Sequence, residues 1–226
     1  METKTKMNAR EWMENLWYHY KWLIIFGGLI LAFLIISLFQ HFGSKDPDVN
    51  ILHVGPMYIS PESAETLKGS VATLSEDYND DGDINVALLD ITVNKFGNEE
   101  EGIDPMNYDQ NNNGLKRFQT EVRAGDAVIY LLDEEFFNIC IEENLLSPLK
   151  DVVSEEILPE NTVKGYGVKI SDLDAYKLSG LSNVPNTAIL CLRRSPELDP
   201  IKYGRTVEVW EGNRKTFENI LKYKAK

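Results

Sequence analysis

Two short stretches carry the side chains best suited to hold a hard cation. Asp77-Tyr78-Asn79-Asp80-Asp81-Gly82 reads D-x-N-x-D-G, and Asp109-Gln110-Asn111-Asn112-Asn113-Gly114 reads D-x-N-x-N-G. Oxygen side chains at alternate positions, with a glycine for the sharp turn, are what calcium takes from a loop. The first stretch continues with Asp83 and, at its ninth position, Asn85. Asp77, Asn79, Asp81, Asp83 and Asn85 are therefore the candidate ligand set. The twelfth position should supply a bidentate carboxylate, but it is Leu88 in the first stretch and Thr120 in the second. The first reading of these residues is a plain Asx-type turn, with a weak calcium loop as the alternative.

Catalysis finds little support. The only histidines are His19, His41 and His53, and the first two flank an apolar run. His53 falls in a strand-like segment, where a hydrogen-bonded core histidine is the default. No H-E-x-x-H, G-x-S-x-G, C-x-x-C or phosphate-binding glycine loop occurs. Acidic residues are abundant, yet nothing selects a working pair, and a solvated charged face explains them. The expectation is a protein that is not an enzyme. Tyr58, Tyr130, Tyr166, Tyr176 and Trp210 are available to line a sugar site, although each alone is more often core or rim. Cys140 and Cys191 lie in apolar runs, which predicts two buried thiols and no bridge.

Charge narrows the partners. The net charge of the 226 residues is −13. Of 23 basic and 36 acidic residues, four and three lie in 1–42, so the remainder carries −14. Such a surface repels phosphate backbones and excludes nucleic acid as a partner. From Leu190 onward the balance reverses, with nine basic and five acidic residues. Packing of this tail on the acidic body is the expected reason.

Trp22 to Phe39 is eighteen residues without a charge, about 27 Å of helix at roughly 1.5 Å per residue, close to a hydrocarbon core. Trp12, Trp17, Tyr18, Tyr20 and Trp22 cluster at its start, as an aromatic belt does. No small-x-small cleavage site follows, so an uncleaved anchor is expected. Four basic residues precede the run and only Lys45 follows closely, which predicts a cytoplasmic N-terminus and an exported domain. The expected organisation is a cytoplasmic and juxtamembrane segment over 1–21, a transmembrane helix over 22–42, a linker over 43–48 and an extracytoplasmic α/β domain over 49–226. Residues 7–21 are expected to form a helix along the inner interface.

The elements that must position the candidate residues follow from periodicity. Apolar runs at 49–54, 84–92 and 127–132 predict strands, and segments 166–170 and 187–192 predict two more. Ser60-Pro61 is a helix start, with Leu67, Val71, Leu74 and Tyr78 at helical spacing. Residues 93–114 read as a long acidic loop containing Glu99-Glu100-Glu101. A short helix over 115–124 follows, stopped by Gly125. Asp133 caps a further helix, and residues 213–223 read as a closing one. Residues 200–212 carry no readable pattern. Alternating strands and helices predict one α/β layered domain with a mostly parallel sheet.

The segment 120–153 adds a resemblance. Its Ala124-Gly125-Asp126 step, the strand to Leu132, the helix from Asp133 and the turn Leu146-Ser147-Pro148-Leu149-Lys150-Asp151 resemble the hallmark segment of extracellular solute-binding proteins of ABC importers, the maltose-binding type. The resemblance implies a periplasmic-binding-protein-like fold. Members of that family close two lobes over a ligand, whereas about 180 residues make one lobe. Their A-G-D-x-P-D turn has no proline here, since Ala127-Val128 follow Asp126. The whole layout also resembles uncharacterised single-pass membrane proteins of anaerobic Gram-positive bacteria. The expected function is a membrane-anchored extracytoplasmic binding or interaction module for a protein, cell-wall or small-molecule partner. The alternatives are a ligand sensor or half-clamshell that dimerises and, last, an enzyme using acidic residues.

Overall fold

The computed structural model describes residues 8–43, 46–93, 105–201 and 205–225. The extreme tail 1–7, Ser44 and Lys45 of the linker, the Glu99-Glu100-Glu101 run and residues 202–204 lie outside the described residues. The chain divides into two compact units, Met1–Lys45 and Asp46–Lys226.

The first unit is one helix, α1 (Ala9–Gly43). Its stretch Trp12–Ser37 is long and apolar enough to cross a membrane, and none of it is buried within the chain. A separate juxtamembrane helix over 7–21 is corrected by this: residues 9–21 continue into the apolar run without a break, there being no proline in α1 to interrupt the ladder.

In the second unit a five-stranded sheet runs β2 (Val86–Thr92), β1 (Val49–Gly55), β3 (Ile129–Leu132), β5 (Ile189–Leu192), β4 (Gly167–Lys169). β1 pairs in parallel with both β2 and β3, while β5 runs antiparallel to β3 and to β4. The sheet is therefore mixed, and the mostly parallel expectation is corrected. Between β4 and β5 the chain makes only short 3-10 turns from Ile170 to Asn183, with no crossover helix to carry it back to the start of a parallel strand.

Alternation along the strands builds a core on each face. Val49, Ile51 and Leu131 join α2 (Pro61–Ala72) through Leu67 and Val71, and α6 (Val207–Lys222) through Phe217 and Ile220. Leu52, Val54, Tyr130 and Leu132 join α3 (Pro105–Ala124) through Phe118 and Val122, and α4 (Glu134–Glu142) through Phe136, Phe137 and Cys140. Each such large side chain, once fully buried, contributes about 1.5–3 kcal/mol. A short α5 (Leu149–Val152) closes the first core. The caps act where expected. Ser60 Oγ accepts the Ser63 amide, Asp133 Oδ1 accepts the Phe136 amide, and Gly125, at φ +70°, ends α3.

Two helices are longer than the sequence pattern suggests. α3 begins at Pro105, so the expected loop up to Gly114 is helical from there on. Gly114 has a packing role: a Cβ there would lie 2.8 Å from the Thr92 carbonyl and from Val93 Cγ2. α6 begins at Val207, capped by the Thr206 hydroxyl on the Val209 amide, and takes in half of the unread segment.

Candidate functional site

The loop Asp77–Asn85 is shaped by its own carboxylates. Asp77 accepts the Asp81 amide at 3.2 Å and the Gly82 amide at 2.8 Å. Asn79 Oδ1 accepts the Asp81 amide at 3.0 Å, and Asp81 Oδ1 accepts the Asp83 amide at 3.0 Å. Asp80 and Gly82 take positive φ, 56° and 88°. Nested Asx turns of this kind satisfy the backbone at a place where neither helix nor sheet does. At Val86 the chain enters β2, and Leu88 packs against the first core. The twelfth position is thus an apolar side chain against that core, and the loop supplies no carboxylate there. Among the described residues, no three His, Cys, Asp or Glu side chains gather as a metal-holding group.

Asp48, assigned by sequence to the linker, organises this loop from outside it. It is 3% exposed. Its Oδ1 accepts the amides of Tyr78 and Asn79, and its Oδ2 accepts that of Asn85 at 2.8 Å. The amides of Asp48 and Val49 in turn donate to the Asn85 carbonyl. The second candidate loop is overturned. Asp109 to Gly114 lie inside α3, where side chains at alternate positions point to different sides of the helix and cannot converge on one ion.

A different constellation forms at the carboxyl ends of the parallel strands. β1 is flanked by β2 on one side and β3 on the other, so the chain order reverses across it. Such a switch point leaves a crevice at the strand ends in open α/β sheets. His53 near the end of β1 is 1% exposed, as expected of a core histidine. Its Nδ1 lies 2.6 Å from Oδ1 of Asp90, its register partner on β2. Asp90 Oδ2 accepts the Ile59 amide at 3.0 Å, which fixes the carboxylate. Nδ1 is thus engaged by the Asp90 carboxylate, and Nε2 is the other ring nitrogen.

Nε2 lies close to Gly55. A Cβ placed on Gly55 would sit 3.7 Å from His53 Nε2 and 3.8 Å from Asp133 Cβ. Asp133 itself follows β3 and caps α4 through Oδ1. Its Oδ2 is enclosed and has no hydrogen-bond partner among the described residues. A buried carboxylate oxygen without a donor costs about 1–3 kcal/mol or more, so its retention calls for a partner. Met57 and Tyr58, just past Gly55, are 60% and 65% exposed. Sequence reading singled out His53, Tyr58 and Asp133 in separate roles, passed over Asp90 and Met57, and missed the convergence. Only the strand register, which pairs His53 with Asp90, brings them together.

The remaining candidates are structural. Tyr130 is fully buried, and its hydroxyl accepts a bond from Arg193. Trp210 is 5% exposed and donates Nε1–H to the Arg193 carbonyl. Tyr176 donates to the Val184 carbonyl. These aromatics do not share a site with Tyr58. Arg193, wholly buried, pairs with Asp199 at 2.9 Å and donates to the Val122 carbonyl at 2.7 Å. Cys140 and Cys191 are buried and free, and burial pushes Cys140 up to about 12 and Cys191 well above its ordinary value. A cleft of about 580 Å³ lies between α5, α6 and the segment after β5. Its Arg214 is committed to Glu211, Glu218 and the Val152 carbonyl. Asp174 is held below its usual range by the bond from Lys177. Arg205 pairs with Asp126 and Lys224 with Asp174, so the basic tail does pack on the acidic body. Comparison with protein-family models, with curated proteins and with solved structures finds no match to this chain.

Proposed function

We propose that the chain is a membrane-anchored binding module, held by α1 with its α/β domain outside the cytoplasm. Its ligand is one that carries a protonated amine. The observation that carries the reading is the buried Asp133 Oδ2, without a hydrogen-bond partner among the described residues, on a side chain whose Cβ lies near Gly55 as His53 Nε2 does. The Asp133 carboxylate oxygen is an acceptor, so the complementary ligand is a donor. The acidic surface of the domain raises the local concentration of cations. Met57 and Tyr58 give the apolar rim that small-molecule sites use for the rest of a ligand. A lobe resembling a solute-binding protein is consistent with such a site. Binding is favoured over catalysis because, among the described residues, no serine, threonine or cysteine is hydrogen-bonded to His53.

Gly55→Ala separates the site from the fold. The added methyl makes only ordinary contacts of 3.7–3.8 Å, against His53 and Asp133 themselves. In a thermal-shift screen of the full chain in detergent against amino acids, short peptides, polyamines and amino sugars, an amine should raise the melting temperature of the parent chain. Gly55→Ala should melt within about a degree or two of the parent and lose the shift. Failure of every amine to stabilise the parent chain contradicts the reading.

A further inference from the structure

The two edges of the sheet differ. β4 closes one side over three residues and runs straight into 3-10 turns. β2 forms the other over seven residues, in unbroken register with β1. Val49 donates its amide to the Asn85 carbonyl, and Val93 donates to the Gly55 carbonyl. Bonding groups alternate along a strand, so residues 85, 87, 89, 91 and 93 turn theirs to β1, and Val86, Leu88 and Asp90 turn theirs outward. Among the described residues no backbone group bonds to those outward amides and carbonyls. Further along, α3 covers the Thr92 carbonyl through Gly114. Edge strands are usually defended by a lysine, a proline or a bulge. β2 has none of these, and its one charge, Asp90, is turned inward to His53.

A groove of about 550 Å³ lies beside this edge, between Leu89 of β2 and Asn113, Lys116, Arg117, Thr120 and Glu121 of α3. Leu89 is half-buried against the second core and gives the groove an apolar wall. Lys116 and Arg117 are exposed, and among the described residues neither is paired with a carboxylate. The groove's own carboxylate, Glu121, accepts the Ala127 amide through Oε1. Two unpaired cations thus stand side by side along an open strand edge, on a chain that carries −14 beyond residue 42.

We propose that the β2 edge docks an extended acidic segment of a partner protein, which adds a sixth strand beside Val86–Asp90 and lays its acidic side chains along Lys116 and Arg117. Main-chain bonds to the outward groups of Val86, Leu88 and Asp90 hold such a strand, and alternate side chains supply the selectivity. Every second side chain of the added strand, about 7 Å apart, faces α3 and its two cations. Charge decides the occupant. A second copy pairing its β2 antiparallel across a two-fold axis would set Lys116 and Arg117 of two α3 helices against each other. An apolar segment would cover the two cations and leave them without a counter-charge. The proposal depends neither on the membrane anchor nor on the Asp133 site.

The probe is a fluorescein-labelled peptide of Glu-Val repeats, titrated by anisotropy with the full chain in a non-ionic detergent. The parent chain should bind it at least about tenfold more tightly than the Lys-Val counterpart. Lys116→Glu combined with Arg117→Glu changes two exposed side chains, so this variant should melt with the parent and bind at least about tenfold more weakly. Residue-resolved hydrogen exchange separates strand addition from charge attraction alone. With peptide bound, the Leu88 and Asp90 amides should exchange at least about fivefold more slowly, and the Leu89 and Ile91 amides, already bonded to β1, should not change. Equal affinity for the two peptides, undiminished binding by the double variant, binding without protection at Leu88 and Asp90, or no binding at about 0.2 mM chain overturns the proposal. Protection of those amides that grows with chain concentration in the absence of peptide assigns the edge to a second copy and overturns it too.

Discussion

Asp48 accepts amides from Tyr78, Asn79 and Asn85 in a nearly solvent-free position. Asp48→Ala leaves those donors unmatched and should cost roughly 2–4 kcal/mol in urea unfolding. Asp77→Ala, which removes acceptors at a more open position, should cost about 1–2 kcal/mol, and equally in calcium and in chelator. A calcium-holding loop would give instead a parent chain stabilised by calcium and a variant that is not. The thiols set a pH dependence. Both stay protonated in the fold, whereas the unfolded chain ionises them near their ordinary value of 9. The folded pKa values are raised, so stability is fully present below pH 9 and is lost as pH climbs through the Cys140 value of about 12. Urea unfolding at about pH 8 and pH 10.5 should show a drop at the higher pH, and native thiols should resist maleimide until denaturant is added.

At the scale of elements, the caps were legible because they are local: Ser60-Pro61, Asp133 and Gly125 act within three or four residues of themselves. Gly212 was not. A glycine inside a helix reads as a stop, yet this one lies under Tyr78, where a Cβ would come within 2.8 Å of the ring. Tyr78 and Gly212 are distant in the chain, and only tertiary packing explains the choice. Gly212→Ala should therefore lower stability by about 1–3 kcal/mol, against the gain of up to about 1 kcal/mol usual for that change in a helix. Differential scanning calorimetry gives the sign. The Asn-rich start of α3 misled in the same way, since Asn and Gly favour turns until packing against Thr92 and Val93 overrides them. The antiparallel β5 escaped notice because TAILCL looks alike in either direction. The candidate crevice escaped because His53, Asp90 and Asp133 are brought together by register and strand order, and spacing along the chain carries neither.

For the whole molecule, the separation into a long apolar helix and an acidic α/β unit is the feature from which the functional reading starts. In the proposed topology the residues around Gly55 lie outside the cytoplasm, and the ligand comes from there. Tyr58, 65% exposed at the rim, is the position to probe, and the two native cysteines are buried. The most direct measurement is labelling of Tyr58→Cys on intact cells with a membrane-impermeant maleimide. The account predicts labelling of the membrane-bound chain before lysis and a silent parent chain. Labelling that occurs only after the cells are broken would contradict it.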